Sequence, residues 1–130
     1  MDSNITERIP GAAELIQWFG KFPHFHDANV EELHVRGDGS GTLRIKSWRM
    51  TDRVDEKGYF VLEKHFVATF QLMGISHVEL SEFQPGQAIL FSLEINESDT
   101  GFELVLESSY GVSGSIRLQA LQLTFEPAIS

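Results

Sequence analysis

The sequence predicts a mainly β protein with an α+β margin: an antiparallel sandwich or half-barrel of about seven strands with one short N-terminal helix. Three observations predict it. From Ala28 onward apolar residues recur mostly at every second position; Gly-rich breaks separate the runs; one stretch near the start carries a helical repeat and no second one follows. At 130 residues the chain is expected to form one domain. That length buries about 70% of the unfolded surface, enough for a core without staples.

Residues 1–9 are largely polar and expected to be loose. Pro10 suits a first helical turn, and Ala12, Ala13, Leu15, Ile16 and Phe19 form one apolar face. With Gly20 as the stop, the helix spans 10–20. Pro23 then pushes Phe22 toward extended backbone. The β-rich part follows over 28–126. Val30 to Arg36 reads as a strand ended by the turn signal Gly37-Asp38-Gly39-Ser40-Gly41, and Thr42 to Met50 is the next strand. Leu43 and Ile45 share one parity while Trp48 and Met50 take the other, so a bulge or a twist near Ser47 is expected. After a charged loop, Tyr59 to Met73 is a long strand with the stripe Phe66, Ala68, Phe70, Leu72. His77 to Leu80 is short, and Gln84-Pro85-Gly86 is a turn.

Ala88 to Asn96 and Phe102 to Ser108 make the clearest hairpin. For their apolar stripes to share a face, paired residue numbers must sum to an odd value. A loop over Glu97 to Thr100 sets Ile95 opposite Phe102 and Leu93 opposite Leu104. The last strand, Ser115 to Phe125, flips parity between Leu118 and Leu121, which again calls for a bulge.

Composition excludes several function classes. Cysteine is absent, which removes disulfides and thiolate chemistry. No long apolar run or leader pattern is present, so no membrane contact is expected and the cytoplasm is the default. The net charge of −9 is uneven: eleven acids and nine bases up to His65, then eight acids and the single base Arg117. Such a surface repels phosphate backbones and favours basic partners, so nucleic acid is not an expected ligand.

Two groups of residues stand out as candidate sites. In the hairpin, the expected register puts Glu94 opposite Glu103 on the outward face, with Glu107 further along beside Leu90. Like charges facing each other are unfavourable, so the placement points to a basic partner or to protection of a sheet edge. At the helix–sheet joint, Trp18 to Ala28 packs four aromatics, two imidazoles and a carboxylate into eleven residues. On extended backbone His24 and His26 would lie on one side, about 6.5–7 Å apart at Cα. With Asp27 they form an alternative ligand site, for a small molecule or a metal completed by a further ligand. The structural alternative has Asp27 capping the turn while His26 donates to a backbone carbonyl. No metal-site spacing, nucleophile–base pair or phosphate cradle is present, so no cofactor, resident metal or catalytic residue is assigned.

Phe25-His26-Asp27-Ala28, preceded by Trp18-Phe19-Gly20 and followed by a strand, resembles the opening of small bacterial proteins with a Phe-His-Asp-Ala motif. Some of these are associated with predicted immunity proteins of polymorphic toxin systems. The likeness covers about a dozen residues and brings no catalytic residues with it. It implies a bacterial, cytoplasmic binding protein, and the acidic C-terminal half suits an inhibitor of a basic toxin. The expected function is therefore a non-enzymatic protein-binding module; oligomeric state is not legible in the chain.

Overall fold

The computed structural model describes residues 7–83, 88–99 and 101–128. The expected turn at Gln84-Pro85-Gly86, the first six residues and Thr100 lie outside them. The chain is a β protein: one helix, α1 (Ala12–Phe19), precedes β1 (Asn29–Val35), β2 (Gly41–Val54), β3 (Phe60–Met73), β4 (His77–Phe83), β5 (Ile89–Ser98), β6 (Gly101–Tyr110), β7 (Val112–Leu118) and β8 (Ala120–Pro127). All pairings are antiparallel, in the order β4-β7-β6-β5-β1-β2-β3-β8.

The two ends of that order are not independent strands. β3 runs into β4 through Gly74, Ile75 and Ser76, and β7 runs into β8 through Gln119. β3 pairs with β8 and β4 with β7, so two long passes of chain stay neighbours around a corner. The Gln119 N–H donates to the carbonyls of Met73 and Gly74 at that corner. The parity flip between Leu118 and Leu121 is this corner: both residues are 2% exposed, on either side of the break. The ladder closes at a short β1–β5 seam, where Val30 N–H donates to Ala88 and Leu90 N–H to Ala28. The result is a pinched barrel whose core is filled by the stripes of β2, β3 and β5–β8, with Phe25 and the apolar face of α1.

Both expected irregularities have a physical counterpart. Between Ser47↔Phe66 and Arg49↔Glu63 the β2–β3 register slips by one, so Lys64 and His65 together face Trp48. Lys64 takes φ 51° there and its ammonium donates to the Trp18 carbonyl, tying α1 to the bulge. Arg8 and Ile9, within the segment expected to be loose, make defined contacts with the sheet. Ile9 is 2% exposed, and Arg8 pairs with Glu97 at 3.2 Å and sits over the Phe102 ring. Pro10 accepts the Leu123 N–H, so residues 9–11 cover the outer edge of β8. Gly11 is required in that position: φ is 94°, and a Cβ would lie 1.7 Å from the Leu123 oxygen.

The β5–β6 register differs from expectation. Ile95 faces Leu104 and Leu93 faces Leu106, two residues away from the pairing expected. The odd-sum rule holds in both, so the apolar stripes share a face either way. What decides is the loop: the ladder continues to Ser98↔Gly101, adding hydrogen-bonded rungs that the longer loop would lose.

Candidate functional site

The outward face of β4, β7, β6 and β5 carries the acidic residues. With the observed register Glu94 faces Val105 instead of Glu103, and Glu103 faces Asn96. Glu107 faces Ser92 rather than Leu90, because a bulge at Phe91 shifts the ladder again. The like-charge opposition expected from the sequence is therefore absent. Across the next strand Glu103 meets Arg117, whose Nε lies 3.4 Å from its carboxylate. The rungs continue to the edge, as Glu94–Val105–Ser115–Glu79 and Asn96–Glu103–Arg117–His77. Glu94, Glu103 and Glu107 still share one face, joined by Glu79.

A groove of about 360 Å³ crosses this face, lined by Glu79, Ser81, Val105, Glu107, Ser108, Ser113 and Ser115. It exists because the residues under it are small. Gly114 has no side chain at the place where β4 crosses closest, and a Cβ there would lie 2.0 Å from the Glu79 oxygen. Two carboxylates flanking a hydroxyl-lined trough can accept hydrogen bonds from a guanidinium or ammonium group.

The second candidate, the helix–sheet joint, is built on a strained turn. Gly20 closes α1 in the left-handed region, its N–H donating to Ile16. The chain then reaches Phe25, whose carbonyl accepts the Ala28 N–H, with His26 and Asp27 as the central pair. Phe25 at φ 58° and Asp27 at φ 63° both adopt left-handed backbone. The extended run assumed for His24–His26 is thus broken at Phe25, and the alternation argument for the two imidazoles fails. They nevertheless border one cleft, because the turn swings His26 back over it. Its Nδ1 donates to the Phe91 carbonyl at 2.9 Å, the ring stacks edge-on against Phe91, and Nε2 lies 3.6 Å from Asp27.

Among the described residues, no three His, Asp or Glu side chains come together in a way that could hold a metal ion. The Gly37–Gly41 segment is a turn: Asp38 accepts from the Ser40 hydroxyl and N–H, bonds that hold its carboxyl below the ordinary value. Arg49 and Arg53 pair across the sheet with Glu63, at 3.9 and 3.1 Å.

Comparison with protein-family models, curated proteins and solved structures finds no match to this chain.

Sequence reasoning missed Glu79, Ser113 and Ser115 on the acidic face, and Trp48 and Arg49 at the joint. Glu79 comes from a strand that is distant in sequence, and only the β4–β7 pairing reveals it. A glycine inside an apolar-alternating strand, Gly114, was the available signal. Trp48 reads as core by its strand setting; the bulge beside it turns it to the rim, where it is half-buried. No described helix is long and apolar enough to cross a membrane.

Proposed function

We propose that this chain is a small, acidic, non-enzymatic binding module that docks a basic protein on the outward face of β4, β7, β6 and β5. In the version the Phe25–Ala28 resemblance favours, it is an immunity-type inhibitor working in the bacterial cytoplasm. The observation that supports the reading most is the groove between Glu79 and Glu107, with Glu94 and Glu103 on the adjoining rungs. A lysine or arginine of the partner enters the groove, and its charge is met by carboxylates whose neighbours are serines. Arg117 is the single Lys or Arg after His65, and it is held by Glu103, so little opposes a cationic surface. Such complementarity acts mainly on the rate of encounter, raising it toward about 10⁸–10⁹ M⁻¹s⁻¹ at low salt.

The test takes the product of the adjacent reading frame as the partner and follows association by stopped flow. The native chain should lose at least about tenfold in on-rate between low and high salt. Glu79→Lys/Glu107→Lys should lose a similar factor at low salt while its circular dichroism stays native. An on-rate indifferent to both changes contradicts the reading.

A further inference from the structure

A cleft of about 370 Å³ lies where the elbow after α1 meets β2. Its size falls in the range of small-molecule sites, roughly 300–1,000 Å³. Phe19, Pro23, Phe25 and Trp48 give it flat apolar walls, and Lys21, His24, His26 and Arg49 give it its polar rim. No carboxylate lines it, on a chain whose net charge is −9. Two of the rim groups have acidic neighbours outside the lining: Glu63 at 3.9 Å from Arg49 Nε, and Asp27 at 3.6 Å from His26 Nε2.

Two of the rim groups are held in position by the main chain. Arg49 Nη1 donates to the Phe19 carbonyl at 3.3 Å, and His26 Nδ1 to Phe91. The guanidinium keeps further N–H groups for a ligand. Ser47, 2% exposed, also lines the cleft. Its hydroxyl can donate to or accept from a ligand atom there.

We infer that this cleft binds a small organic carboxylate with a flat apolar body. The carboxylate lies against Arg49 and Lys21, the guanidinium fork matching its two oxygens. The flat body stacks on Trp48 against Pro23, and Ser47 reaches the ligand from the floor. None of these residues belongs to the acidic docking face, so either proposal fails without the other.

The experiment titrates the intact protein with benzoate, and in parallel with benzamide and inorganic phosphate, in ¹⁵N–¹H spectra. Benzoate should give saturable shifts at Gly20, Lys21, His26 and the Trp48 indole N–H. Benzamide lacks the charge and phosphate the flat body, and each should bind at least about tenfold more weakly. Lys21→Gln and Ser47→Ala should both weaken benzoate, and neither residue ties α1 to the sheet as Arg49 does. The inference is overturned by no saturable shift at about 10 mM benzoate. It is also overturned by equal affinity for benzamide or phosphate, or by unchanged affinity in both variants.

Discussion

Phe25 and Asp27 show how local preference and packing oppose each other at single residues. A bulky residue in the left-handed region costs about 1–3 kcal/mol. Phe25 offsets it by burial, worth roughly 1.5–3 kcal/mol for such a side chain. Its ring sits edge-on to Phe70 at 6.0 Å and close to Phe66 at 6.3 Å. The turn is therefore imposed by the core and not by the sequence of the turn itself. Asp27 has no such offset, being exposed, and is tolerated because short polar side chains visit this region at modest cost. Asp27→Val is expected to be less stable than Asp27→Gly by about 1–2 kcal/mol in urea denaturation. Equal stabilities would mean that the position is not left-handed in solution. This conformation was not legible in the chain. Nothing in Phe25-His26-Asp27 demands it, and extended backbone was the natural expectation.

At the scale of elements, period-two alternation located the strands up to β6, most clearly where one face is buried, as in β2, β3, β5 and β6, but it read β7 and β8 as one strand from Ser115 to Phe125. It also carried the two irregularities, near Ser47 and after Leu118, since a parity flip without a bulge or corner would expose a stripe. Register was legible only to within two residues. A shift of two keeps every apolar side chain on its face, so hydrophobicity cannot choose, and the choice passes to the loop and its added rungs. The consequence for the site was large: Glu103 gained Arg117 and Glu94 lost its like-charged neighbour. The absence of native cysteine makes the register directly testable. Asn96→Cys/Glu103→Cys should oxidise to an intramolecular disulfide, since directly opposed residues are within its reach. Glu94→Cys/Glu103→Cys, a diagonal pair about 7–8 Å apart, should not. The reverse outcome would restore the register with Glu94 opposite Glu103.

For the molecule as a whole, the pinched barrel separates charge that the sequence interleaves. The corner at Gln119 brings β4 beside β7, which adds Glu79 to the carboxylates of the β5–β6 hairpin. The elbow and the Ser47 bulge collect Lys21, Arg49 and two imidazoles around an apolar cleft. A net charge alone announced the first of these and concealed the second, because summing over the chain erases a local positive region. The acidic face is the central claim. Amide shift mapping of the isotopically labelled chain bound to the basic product of its neighbouring reading frame tests it most directly. The account predicts the largest perturbations at Glu79, Glu94, Val105, Glu107 and Ser115. Perturbations confined to α1 and the β1–β2 hairpin, with that sheet face unmoved, would contradict it.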